Sequence, residues 1–228
     1  MALNIVERID DRVRVENVLL SVSDKKGLEK LVPALAEMNP EIVFYSTGGT
    51  YSRIRDILGE ESAGRNLKAV SEYTGQPEMQ GGLVKTLDFK IYLGLLTETY
   101  NEAHAEDLGR VSAVPIDMVV VNLYPFRQTV AAADVTPEQA RTNMDIGGPC
   151  MVRAAAKNYL RVASVTDPSD YDSIVEELRR DEGRIALETR FRLACKAFKH
   201  TAAYDRAISE YFAEREFEEI RSCYRLTG

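Results

Sequence analysis

Short apolar runs alternate along most of this chain with segments whose apolar residues recur at helical spacing. Val18-Leu19-Leu20 reads as a strand, and from Lys25 to Met38 the residues Leu28, Leu31, Leu35 and Met38 fall on one helix face. Ile42 to Tyr45 predicts a second strand, followed by a helix from about Tyr51 to Leu58, and Lys68 to Val70 a weaker third strand. Met118-Val119-Val120-Val121 is the clearest run; an unbroken apolar stretch suits a strand covered on both faces of a parallel sheet. Arg161 to Val165 repeats that signal. Asp167 and Pro168 then open a helix to about Arg180, with Asp167 as N-cap and Pro168 at its first position. From Ala186 to about Arg215 the pattern is purely helical, with Leu187, Phe191, Ala194, Phe198 and Ala202 on the face expected to meet the body. Ser62 to Arg65 and Tyr100 to Ala113 read as polar connections. The alternation predicts an α/β fold, a parallel sheet flanked by helices. An N-terminal extension (1–16) would precede the α/β domain (17–183), and a C-terminal helical segment (184–228) would pack on the same domain.

Composition narrows the function without choosing it. A chain of 228 residues buries roughly 70% of its unfolded surface and needs no structural staple. With 29 Lys+Arg against 36 Asp+Glu the net charge is −7, which argues against a nucleic-acid surface but leaves room for a small anionic substrate. Cys150, Cys195 and Cys223 form no CxxC or metal-ligand spacing, and His104 and His200 stand far apart, so no metal site is expected. The opening residues MALNIVERIDDRVRVE contain no apolar leader core, and no run approaches the ~20 apolar residues of a membrane span. These features lead to the expectation of a reduced, cytoplasmic protein with no membrane partner.

Two strand-to-helix junctions suit an anion, because ligands of open α/β sheets lie beyond the carboxyl ends of the strands. Ser23, Asp24 and Lys25 follow the first strand, and Thr47, Gly48, Gly49 and Thr50 follow the second. Glycines admit a phosphate to the backbone amides, hydroxyls donate, and a helix N-terminus adds partial positive charge. Neither junction is a Walker loop or a GxGxxG, and Ser23 and Thr50 read equally well as helix caps. Further polar clusters carry Lys85 and Thr86, Asn122 and Tyr124, Asp145 and Ile146, and Lys157 on a short Ala-rich helix. Taken singly, each of these is more often packing or a solvated side chain than chemistry.

Together the segments SVSDKKGL (21–28), STGGT (46–50), VSEYTGQPEMQGG (70–82), VKTL (84–87), NLYPF (122–126), MDIGGP (144–149), VRAAAKN (152–158) and LETRFRLACKAFKHTAAYD (187–205) resemble the inosine-monophosphate cyclohydrolase domain of the bifunctional purine-biosynthesis enzyme. The motifs keep that family's order and approximate spacing. The resemblance implies a methylglyoxal-synthase-like fold and dehydrative ring closure of 5-formamidoimidazole-4-carboxamide ribonucleotide, with no cofactor. It implies that Lys85 and Tyr124 stabilise the formyl oxygen, that Asp145 and Lys157 form a proton-transfer pair, that Ser23, Asp24, Lys25 and Thr47 to Thr50 hold phosphate and ribose, and that Thr86, Asn122 and Ile146 line the base pocket. The chain ends where the family's transformylase domain would begin, so a separate transformylase is expected to supply the nucleotide substrate; a homodimer stays open.

The chain departs from the family pattern GGRVKTLHPxxHxGIL, reading GGLVKTLDFKIYLGLL, with Leu83, Asp88, Phe89 and Tyr92 at the changed positions. Lys26 and Gln76 are further changes. Two alternatives remain open at this point. One is a methylglyoxal-synthase-like lyase acting on a sugar phosphate, for which Asp24 is the one clear base. The other is a purine-nucleotide-binding regulator without catalysis.

Overall fold

Five apolar runs become one parallel sheet. A computed structural model describes residues 5–77, 85–132 and 134–227. The chain begins with β1 (Arg12–Arg14) and β2 (Asn17–Val22), followed by α1 (Leu28–Met38), β3 (Val43–Ser46), α2 (Gly48–Asn66), β4 (Leu67–Ala69) and α3 (Val70–Thr74). Next come α4 (Phe89–Leu96), α5 (Glu102–Arg110), β5 (Met118–Asn122), α6 (Phe126–Val130), α7 (Pro137–Thr142) and α8 (Gly147–Lys157). The chain closes with β6 (Ala163–Val165), a 3-10 turn (Pro168–Asp170), α9 (Tyr171–Arg180), β7 (Arg184–Ala186), α10 (Leu187–Ala213) and α11 (Phe217–Ser222). The sheet order is β4-β3-β2-β5-β6, parallel throughout.

The period-2 alternation of the strands divides two cores. Val18, Leu20, Val22, Met118, Val120, Ala163 and Val165 meet α1, α2 and α9, whereas Leu19, Tyr45, Val119 and Val121 meet α4, α8 and α10. Central β2 and β5 are therefore apolar on both sides, as strands between two helical layers must be. Each fully buried Val or Leu contributes about 1.5–3 kcal/mol relative to an exposed one. This is the α/β architecture expected from the sequence. Among the described residues no helix is long and apolar enough to cross a membrane.

Several boundaries differ from expectation. α1 starts at Leu28, beyond Gly27, rather than at Lys25. α2 starts at Gly48 and reaches Asn66 across a non-helical step at Gly59, so Ser62 to Arg65 is helical rather than a polar connection. Tyr100 to Ala113 likewise contains α5, capped by the Asn101 side chain on the His104 amide. The Asp167-Pro168 start held: Asp167 accepts from the Ser169 N–H and Pro168 opens the 3-10 turn that runs into α9.

The larger correction concerns α10. Its buried face is Arg190, Leu193, Ala194, Ala197, Thr201, Tyr204, Ala207 and Tyr211, not the Leu187-Phe191-Ala194-Phe198-Ala202 stripe. Phe191 and Phe198 are 52% and 41% exposed; Phe191 stacks on Tyr159, and Phe198 receives the Arg153 guanidinium. The reason is Arg190, which sequence pattern assigns to solvent. It is fully buried and donates to five backbone carbonyls, those of Asp10, Asp11, Tyr159, Leu160 and Ile185. Satisfying those carbonyls rotates the helix by about one position away from the aromatic stripe. The same guanidinium also anchors the β1–β7 pair, whose register sets Val13 against Ile185.

Candidate functional site

The carboxyl ends of β2, β3 and β5 place three loops side by side. Ser23, Asp24 and Lys25 leave β2, Thr47 and Gly48 leave β3, and Leu123 and Tyr124 leave β5. The β2 loop is tied from both flanks. From the β3 side, buried Thr50 accepts the Val22 N–H and donates to the Val22 carbonyl, each at 3.1 Å. From the β5 side, Asn122 Oδ1 accepts the Ser23 N–H (2.7 Å), the Asp24 N–H (2.9 Å) and the Ser23 hydroxyl (3.2 Å), while its Nδ2 donates to the Asp24 carbonyl (2.9 Å).

Two lysines converge on the N-terminus of α2. A Cβ added at Gly48 would stand 3.5 Å from Lys85 Nζ; one at Gly49 would stand 3.5 Å from Lys25 Cε and 3.7 Å from its Nζ. Gly48 has φ +50°, a backbone state that side chains disfavour. Two ammonium groups thus lie over a helix N-terminus, where partial positive charge already favours an anion. Lys25 Nζ also donates to the Ser23 carbonyl at 3.3 Å, which draws it back over its own loop.

The residue after Lys85 reaches the other side of the site. Thr86 Oγ1 would be 2.9 Å from a Cβ on Gly147, so Lys85 and Thr86 together span from α2 to the first turn of α8. There Asp145 Oδ1 accepts the Gly148 N–H at 2.9 Å. A Cβ on Gly148 would collide with Asp145 Oδ2 and with Leu123 Cδ2, so only glycine lets the carboxylate and the β5 loop close on this turn. Burial raises the Asp145 pKa above the ordinary carboxylate value, and the Gly148 N–H works in the opposite direction. Tyr124 and Ile146 are 58% and 59% exposed and stand at the rim.

Lys157 is not brought to this group. It is the last residue of the 11-residue α8, whereas Asp145 precedes the first. At ~1.5 Å per residue the two lie about 15 Å or more apart along the axis, so the expected Asp145–Lys157 pair does not form within one chain. Sequence reasoning also gave no role to Tyr204. Its hydroxyl, carried by α10, accepts the Asp145 N–H at 2.7 Å. Tyr204 lies inside the LETRFRLACKAFKHTAAYD motif, but nothing local to that motif points to Asp145.

The family departures sort by place. Asp88 caps α4, its Oδ1 accepting the Lys90 N–H at 2.8 Å; Phe89 is 67% exposed. Lys26 and Gln76 are exposed. Tyr92 turns inward beside Cys150, and burial pushes its pKa up. Leu83 lies outside the described residues, as do Glu78 to Gly82 of the VSEYTGQPEMQGG motif.

Comparison with known proteins places the chain in a family. Residues 27–150 match the MGS-like domain model. The chain belongs to the MGS-like domain family. Beyond this MGS-like part, residues 155–227 match the AICARFT/IMPCHase bienzyme model. The bifunctional purine biosynthesis protein PurH of Leptospira biflexa is 47% identical over 203 residues, covering 89% of this chain and 38% of that protein. PurH of Bacillus cereus is 46% identical over 212 residues, 93% of this chain and 40% of that protein. The chain therefore spans about two fifths of the length of these relatives. The crystal structure of ForH superposes with a TM-score of 0.72 at 32% identity, covering 87% of this chain and 99% of that one.

Proposed function

We propose that the chain is an inosine-monophosphate cyclohydrolase, closing the second purine ring of 5-formamidoimidazole-4-carboxamide ribonucleotide. The observation that carries this reading is the convergence of Lys25 and Lys85 on the Gly48-Gly49 helix start, with Thr86 joining that anion seat to Asp145. The two PurH matches, which cover 89% and 93% of the chain, support it.

In this reaction the carboxamide nitrogen attacks the formyl carbon and loses one proton, and the formyl oxygen gains charge and is protonated to a hydroxyl. That hydroxyl takes a second proton and leaves as water while the formamide nitrogen gives up its own proton to form the ring C=N bond. Both reacting groups belong to one molecule, so the protein's work is to hold the reactive rotamer and answer the developing charge. Lys85, one residue from Thr86, and Tyr124, one residue beyond Leu123, are the groups assigned to the oxyanion. Asp145, with one oxygen engaged by Gly148 and a raised pKa, is the group assigned to the nitrogen proton. Ser23 to Lys25 and Thr47 to Gly49 hold phosphate and ribose, and Ile146 and Tyr124 face the planar base. Lys157 takes no part within the chain. The substrate itself arrives from a formyl transfer onto the aminoimidazole precursor.

The sugar-phosphate lyase reading finds less support, because Asp24 Oδ1 is committed to the Lys26 N–H at 3.0 Å in an exposed turn. The test is an absorbance assay for inosine monophosphate formed from the formylated nucleotide by the purified chain. Turnover that is lost in Lys85→Ala is the expected result. Absence of ring closure by a folded chain overturns the assignment.

A further inference from the structure

The resemblance assigns Asn122 to the base pocket, but its side chain is spent elsewhere. Asn122 Oδ1 takes the N–H groups of Ser23 and Asp24 and the Ser23 hydroxyl, and Nδ2 gives one of its two protons to the Asp24 carbonyl. An amide oxygen has two lone pairs, so three donors saturate it. The single hydroxyl proton of Ser23 is shared between Asn122 Oδ1 and the Leu123 carbonyl, 3.2 and 3.1 Å from Oγ. Thr50 closes the opposite flank by bonding both polar groups of the Val22 backbone. The β2 loop is thus clamped between its two neighbouring strands, and the Asn122 half of the clamp crosses 99 residues of sequence.

We propose that Asn122 is a positioning residue for the phosphate loop and does not read the base. This rests on the reading of Ser23–Lys25 as part of the anion seat. By fixing both amides and the Asp24 carbonyl, Asn122 sets where Lys25 emerges and which way the loop's remaining donors face. Losing the clamp leaves the loop to be ordered by the ligand, and that ordering free energy is subtracted from binding. The loss then follows the phosphate and is blind to the base.

The test measures binding by calorimetry for the full chain and for Asn122→Ala and Asn122→Leu, with ribose 5-phosphate, inosine monophosphate and inosine as probes. Both variants should weaken the two phosphorylated probes by the same factor, about tenfold, and leave inosine unchanged. In turnover, KM should rise by that factor while kcat at saturation stays within about twofold. A loss confined to inosine monophosphate and inosine would place Asn122 on the base and overturn the proposal. So would unchanged affinities in folded variants. Amide exchange on the unaltered chain tests the clamp without any substitution. Protection of the Ser23 and Asp24 amides comparable to the β2 and β5 amides supports it, and exchange at exposed-loop rates overturns it. A wild-type chain that binds none of the three probes removes the anion-seat reading and this inference together, an outcome distinct from a change in the variants alone.

Discussion

The two ends of the parallel sheet carry different kinds of polar side chain. At the amino end, Asp117, Arg161, Asn39, Asn66 and Arg190 are buried and each bonds to main chain. Asp117 accepts from the Glu16 and Asn17 amides and from Arg161, which also donates to the Gly94 and Ile116 carbonyls. Asn39 donates to Val15, Asn66 to Pro40 and Ile42, and Arg190 to five carbonyls. At the carboxyl end, Lys25 and Lys85 are gathered over glycines, and Asp145 keeps its second oxygen against a turn that only glycine permits. Saturated polar groups make a framework, because removing one orphans its partners at about 1–3 kcal/mol each. Like charges gathered at a helix start are less favourable to the empty protein and more favourable to an anion. The difference separates stability from function in space, and substitutions can break the separation or sharpen it.

The largest effects should fall at the carboxyl end and on rate alone. Lys85→Ala is expected to lower kcat by about 10²–10³, as for an oxyanion donor, with an unchanged denaturation midpoint. Asp145→Asn should lower kcat comparably and also report its pH dependence. The raised pKa means the folded chain holds this proton more tightly than the unfolded one. Ionised Asp145 therefore costs stability above its folded pKa, and the cost is relieved as pH falls. Turnover should rise with pH through a limb above the ordinary carboxylate value of ~3.9, and Asp145→Asn should abolish that limb without destabilising the protein at neutral pH. A variant that loses stability instead would show Asp145 to be chiefly a cap for α8.

Arg190→Leu should do the reverse. With five carbonyls left without their donor, urea denaturation should show a loss of at least about 3 kcal/mol, while the KM of the folded protein stays unchanged. A large change in KM would join the two ends that the geometry separates.

Tyr204→Phe lies between the extremes, since α10 carries Tyr204 to Asp145. Losing the acceptor for the Asp145 N–H should cost about 1 kcal/mol in stability and lower kcat several-fold. In an Asp145→Asn background the effect on kcat should vanish, because Tyr204 acts through Asp145. Equal kcat losses in both backgrounds would give Tyr204 a separate role.

The smallest effect is expected for Lys157→Ala, an exposed residue at the far end of α8: a change in kcat of no more than about twofold. A loss like that of Lys85→Ala would mean that Lys157 serves the site of a second copy of the chain. Mixing Lys157→Ala with Lys85→Ala protein would then restore part of the turnover.

Much of this was legible in the residues. The runs at Val18, Ile42, Met118 and Arg161, with the weaker one at Lys68, placed all five sheet strands, because the pattern of a strand covered by helices is a local property. The β2 and β3 junctions were legible as candidate anion-binding loops because Ser, Gly and Lys at a strand-to-helix turn carry their chemistry with them. What only the tertiary structure decided involves partners far apart in sequence. The burial of Arg190 was set by carbonyls from Asp10 to Ile185, and it turned α10 away from its aromatic stripe. Asn122 and Thr50 became loop clamps because Ser23, Asp24 and Val22 came within reach. Tyr204 met Asp145 across 59 residues, whereas the rise of α8 drew Lys157 away from it. A side chain's type states which bonds it can make. Its neighbours in the folded chain decide which of those bonds remain for a ligand.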